Sequence, residues 1–122
     1  MPPPPKLYHL AQLWLELTRQ IHKISAPDKQ LQFGNRANVL IVGVAVYLGT
    51  IEGRPMTATK LAAFIGMPRP TVLRRLKLLC RRGVVERVGK TYRTTAGQLD
   101  RVGRRDIEAM TKLVRRAGEV LR

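Results

Sequence analysis

A mainly α fold carrying one small β-hairpin is the class predicted by this sequence of 122 residues. Three observations predict it. Apolar residues recur at spacings of three and four through most of the chain, the signature of amphipathic helices. Two β-prone runs, Val84 to Val88 and Thr91 to Thr95, are separated only by Gly89-Lys90. A short helical pattern, a Gly- and Pro-containing turn and a second helical pattern stand directly before them.

The elements follow in order. Four prolines open a tail, residues 1–6, which is given no role. Leu7, Leu10, Trp14, Leu17, Ile21 and Ile24 alternate spacings of three and four, with Leu13 alongside, and so predict a helix over 7–25 with an apolar seam. Pro27 stops it, because the residue before a proline is biased away from helical angles. A linker is expected to about Gly34. Asn35 is the expected cap of a second helix, from Arg36 to about Thr50, apolar nearly all round and therefore suited to the centre of a bundle. Gly43, in its interior, is expected to mark close helix packing. After Gly53-Arg54-Pro55, Thr57 caps a third helix over Ala58 to Ile65, ended by Gly66.

Pro70 is expected as the first residue of a fourth helix, 70–82, stopped by Gly83. Its inward face is Val72, Leu76, Leu79 and Cys80. At 100° per residue, Pro70, Arg74, Lys77 and Arg81 lie opposite, with Thr71 and Leu78 at the edge of the exposed arc. A two-residue loop with Gly first is the type II′ hairpin signal, which makes residues 84–95 a hairpin. Thr95 caps one last helix, 96–122, along which Ile107, Met110, Val114, Ala117 and Leu121 form a second seam.

Charge narrows the function. Lys and Arg number 23 against 8 Asp and Glu, a net +15. Arg69 to Arg105 holds twelve of the bases and only Glu86 and Asp100 among the acids, a net +10 in under a third of the chain. A concentrated basic region is the electrostatic footprint of a polyanion binder. A membrane surface would need an aromatic or leucine stripe beside the bases, and the basic region offers no aromatic but Tyr92. The longest mostly apolar run, Ala37 to Leu48, falls well short of the roughly 20 residues that span a bilayer. One cysteine, Cys80, and two histidines, His9 and His22, leave too few ligands for structural zinc and no disulfide, so no metal, no cofactor and a reducing cytoplasm are expected. A buried structural thiol is the expectation for Cys80, and a solvated or packed ring for His9 and His22. The carboxylates show no catalytic pairing and no Gly-rich phosphate loop is present, so an enzyme is not expected.

Helix, tight turn, basic helix and basic hairpin together make a helix-turn-helix with a wing. Such a unit lays its second helix in the major groove, where Arg and Lys reach guanine O6 and N7, while the hairpin reaches the flanking backbone or minor groove. The stretch Met56 to Leu76, with Thr71-Val72 near the start of the fourth helix, and Arg82-Gly83-Val84-Val85-Glu86-Arg87 resemble the winged helix-turn-helix of bacterial transcription regulators of the MarR and IclR kind. Thr95-Ala96-Gly97 is similar to the exit from the MarR wing, one residue shorter, whereas the Asp-x-Arg…Arg motif of that wing is missing. The resemblance covers Arg36 to Leu99. It implies a winged domain over 35–95 flanked by terminal dimerisation helices, 7–25 and 96–122.

Arg69, Pro70, Thr71, Arg74, Arg75, Lys77 and Leu78 are thereby expected at the groove, with Arg74 first on a base edge. Arg87, Lys90 and Arg93 belong to the wing, and Thr57 to the third helix cap with its hydroxyl toward a phosphate. Each arginine has a second reading as a phosphate contact that holds register without reading sequence. Leu7, Leu10, Trp14, Leu17, Ile21, Ile107, Met110, Val114 and Leu121 are expected at a homodimer interface, with Trp14 as its anchor; Trp14 completing the monomer core is the alternative. The expected partner is double-stranded DNA in the bacterial nucleoid, and repression is favoured over activation because the chain has no spare domain for polymerase. A small-molecule effector has no signature in the residues. The rival readings are a sequence-tolerant architectural DNA or RNA binder and an interaction module whose terminal helices recruit a partner.

Overall fold

The computed structural model describes residues 6–25, 33–102 and 104–122. The expected tail, most of the expected linker and Gly103 lie outside the described residues. The order is α1 (Lys6–Ser25), α2 (Phe33–Ile51), β1 (Met56–Thr57), α3 (Ala58–Ile65), α4 (Arg69–Arg81), β2 (Val85–Val88), β3 (Thr91–Thr94), α5 (Ala96–Arg101) and α6 (Arg104–Val120). The fold is mainly α with a small antiparallel sheet, a winged helix-turn-helix. The chain divides into two compact units, Asp28–Arg101 and a second made of Met1–Pro27 with Val102–Arg122.

In Asp28–Arg101 the core is drawn from α2, α3, α4, β2 with its entry, and β3. Leu61, Leu76, Val42, Val46, Val72 and Val85 are fully buried, and Val39, Ala45, Ala58, Ala62, Leu79, Val84 and Tyr92 complete the cluster. α2 packs on α3, α4 and β3. It begins at Phe33, earlier than expected, so Asn35 lies inside the helix instead of capping it. Thr50 ties the end of α2 to the sheet, donating to the Val46 carbonyl at 2.8 Å and accepting from the Thr94 amide at 2.9 Å.

Thr57 caps α3 as expected, its Oγ1 accepting from the Lys60 amide at 3.2 Å. Gly66 ends α3 at φ 83°, a left-handed conformation that only glycine adopts at no steric cost. α4 starts at Arg69, one residue before the expected start. Pro68 supplies the first carbonyl, which accepts from the Val72 amide at 3.1 Å, and Pro70 sits one place further into the first turn, where its missing N–H is still no loss.

β2 and β3 pair in the expected two-residue hairpin, Val88 facing Thr91. Gly89 has φ 63° and no non-glycine residue described has positive φ, as a type II′ loop requires. The sheet has a third strand that the sequence reading does not contain: β1 pairs antiparallel with β3, Met56 opposite Tyr92, giving the order β1-β3-β2. Thr95 closes the sheet, donating to the Gly83 carbonyl at 2.6 Å, while its Oγ1 also accepts from the Gln98 amide at 3.1 Å and so caps α5.

The single C-terminal helix expected over 96–122 is two helices. The chain bends at Val102, where a β-branched residue followed by Gly103 lowers helix propensity, and α6 restarts with Asp106 in its first turn, a favourable place for a carboxylate near a helix N-terminus. The boundary of the winged unit consequently falls after Arg101, not Thr95, and takes α5 with it.

In the other unit α1 packs against α6, with Leu13 and Glu16 across a shallow groove from Leu113, Arg116 and Ala117. Of the seam expected on α1, Leu10 and Trp14 are exposed and do not line that groove.

Candidate nucleic-acid interface

The turn between α3 and α4 sets the interface. Val72, Leu76 and Leu79 anchor α4 in the core, and the 100° advance per residue then leaves Arg69, Pro70, Arg74, Lys77 and Arg81 exposed. Thr71 and Arg75 are half-buried at the flanks. Leu78, at the edge of the exposed arc, is half-buried and packs in part against the core, together with Leu73 and Cys80. No carboxylate side chain occurs between Glu52 and Glu86, so nothing along α3 or α4 offsets their bases from within.

Two arginines of α4 are held. The Arg74 guanidinium donates through Nη2 to Thr71 Oγ1 at 3.3 Å, one helical turn away. Arg69 donates through Nε to Thr59 Oγ1 at 3.2 Å and bridges the first turns of α4 and α3. Thr59 is absent from the sequence reading, since an exposed threonine early in a helix matches no pattern. Each guanidinium carries five N–H donors, so one such bond restricts its rotamer and leaves further donors for a phosphate or a base edge.

The wing places its three expected bases differently. Arg93 stands opposite Glu86 across the strands, 3.7 Å from its carboxylate, with both side chains about half exposed. The Arg87 guanidinium donates to the Gly89 carbonyl at 2.8 Å and buttresses the loop. Lys90 occupies the tip. Val88, 52% exposed, is an apolar residue on the surface of the wing. Thr57 lies at the N-terminus of α3 as its cap.

Cys80 lies on the inward half of α4. Burial pushes its thiol above the usual range, and the Arg87 guanidinium offsets part of that rise. Of the residues expected at a dimer interface, Leu10, Trp14, Ile107 and Val114 are exposed, and Leu17, Ile21, Met110 and Leu121 half-buried. Trp14, 67% exposed, does not complete the core of the chain. The His9 ring meets Tyr8 edge-on at 5.3 Å. The side chains of Leu7, His22 and Ile24 lie outside the described residues.

Residues 44–88, from the middle of α2 to the end of β2, match the family described as a helix-turn-helix domain. The segment is similar to that domain, and its fold, α3, a tight turn and α4 with a basic outer face, is that of a helix-turn-helix. The match is to this domain alone, leaving the wing's second strand and the terminal helices outside it. No curated protein matches the chain. No described helix is long and apolar enough to cross a membrane.

Proposed function

We propose that this chain is a sequence-specific, double-stranded-DNA-binding transcriptional regulator of the MarR or IclR type, a repressor in the bacterial cytoplasm. The recognition helix, α4, lies in the major groove and the wing, β2 and β3 with their loop, on the flanking backbone or minor groove. The chain works as a homodimer through its terminal helices, one recognition helix per half-site of a two-fold operator. The observation that carries this is the outer face of α4, where Arg74, held by Thr71, projects among Arg69, Lys77 and Arg81 with no acid on α3 or α4. An arginine with a restricted rotamer loses less entropy on forming a bidentate contact with guanine than a free one.

Selection of sites from random duplex DNA at physiological salt tests the reading. An enriched inverted repeat, bound at least about a thousandfold more tightly than scrambled sequence, is expected. Arg74→Ala is expected to cost about 1 to 3 kcal/mol on the selected site and much less on random DNA. Equal loss on both, with no enrichment, would favour the architectural binder that a net charge of +15 also supports.

A further inference from the structure

Arg69 stands between two prolines. The rings of Pro68 and Pro70 fix their own φ, which is −60° at Pro68, so the backbone entering α4 is stiff and the side chain of Arg69 is what remains to be set. That side chain turns off α4: its Nε donates to Thr59 Oγ1 in the first turn of α3, ten residues back in the chain. Arg74 behaves differently, since its bond to Thr71 stays on α4. The hydroxyl of Thr59 is also used in an unusual way. Thr18, Thr50 and Thr111 each donate to the carbonyl four residues before them, the ordinary bond of a threonine within a helix. Thr59, exposed on α3, accepts from a different helix.

We propose that Thr59 is a positioning residue that presents Arg69 to a phosphate of the DNA backbone, so that Arg69 holds register while Arg74 reads a base; this rests on α4 being the recognition helix, as proposed above. The free donors are the first argument. With Nε committed to Thr59, the terminal Nη1 and Nη2 remain as an end-on pair, a planar fork that matches two oxygens of a phosphate.

Place is the second argument, because the same fork also fits guanine. The bond draws the guanidinium toward α3, and in a helix-turn-helix docked through its second helix the first helix crosses the backbone. Lys60 is exposed beside Thr59, and neither α3 nor α4 carries an acid, so this corner suits an anion. Holding the side chain before DNA arrives removes part of the rotamer entropy that binding would otherwise cost, an effect of about two- to tenfold in affinity.

Fluorescence anisotropy of the full chain tests this on the selected site and on scrambled duplex, with Thr59→Val, Thr59→Ser, Arg69→Ala and the Thr59→Val/Arg69→Ala pair. Thr59→Val is expected to raise both dissociation constants by about two- to tenfold and to leave their ratio unchanged. Thr59→Ser, which keeps the acceptor, is expected to bind as the wild type does. In the Arg69→Ala background Thr59→Val is expected to cost nothing further, and Arg69→Ala to lower the magnitude of the salt slope by about one. Should valine disturb the helical circular dichroism, Thr59→Ala replaces it with the same expectation. A folded Thr59→Val variant with wild-type affinity, or one whose cost is the same without Arg69, overturns the positioning role. A fall in the ratio for Arg69→Ala puts Arg69 on a base edge and overturns the phosphate assignment. If no site is enriched, the sequence-specific reading falls while the same cycle on random duplex still decides the role of Thr59. A chain that binds no duplex overturns both.

Discussion

Cys80 illustrates how one position on α4 joins core and interface. Its thiol is pushed above its ordinary value of 9.0, first by burial, while Arg87 from the wing pulls it back in part. The folded chain therefore holds this proton to higher pH than the unfolded chain does. Below the unfolded value both states are protonated and the group's contribution is fully present; as pH rises the unfolded state loses its proton first and stability falls. Urea melts between pH 8 and 10 are expected to show a steeper loss for the wild type than for Cys80→Ala, in the same window as the thiol titrates. The helical wheel placed Cys80, Val72, Leu76 and Leu79 inward correctly, because 100° per residue is a property of the backbone alone. It put Leu78 at the edge of the exposed arc, where the side chain is half-buried against the core. Contacts such as Arg69 with Thr59 lie ten residues apart and depend on the angle between two helices, which no local pattern contains.

Two glycines of α2 separate propensity from packing. Gly43 was expected to permit a close approach, yet a methyl there would sit 3.8 Å from Leu79 Cδ1, an ordinary contact. Gly49 is the place of close approach: a methyl would come 3.0 Å from the Arg54 carbonyl oxygen, on the turn closed by the bond from the Arg54 amide to the Gly49 carbonyl at 2.8 Å. Gly43→Ala is thus expected to stabilise the chain by up to about 1 kcal/mol, the helix-propensity gain, and Gly49→Ala to destabilise it by roughly 1 to 3 kcal/mol. Thermal denaturation of the two variants checks both signs. At this scale the sequence was most readable where an element carries its own punctuation. Thr57, Gly66, Gly83 and Gly89 mark the ends of α3, α4 and the hairpin strands. β1 carries none: a two-residue strand exists only because β3 offers it an edge. The break before α6 had a local signal in Val102-Gly103, outweighed in the reading by the apolar spacing that continues on both sides of it.

For the molecule as a whole the distribution of charge governs how it meets DNA. With Arg69, Arg74, Lys77, Arg81 and Lys90 among the exposed bases of one domain, roughly six phosphate contacts per half-site are reasonable, and affinity should fall about a thousandfold or more between roughly 50 and 200 mM salt. Titrations across that range check the slope, and Lys90→Ala is expected to reduce its magnitude by about one. The winged domain was legible from the sequence because charge, turn chemistry and helical period coincide in one stretch. The outer face of α2 was legible only as excess hydrophobicity, since a sequence shows that a helix is apolar all round but not which of its faces the core takes. The edge strand β1 has a consequence of another kind, in the order of synthesis. Met56 finds Tyr92, and Thr50 finds the Thr94 amide, only after the chain between them has been made. A nascent chain that ends anywhere before Thr94 therefore holds a complete recognition helix with no finished sheet behind it. DNA binding should appear late in translation and in one step, with no partly active intermediate earlier.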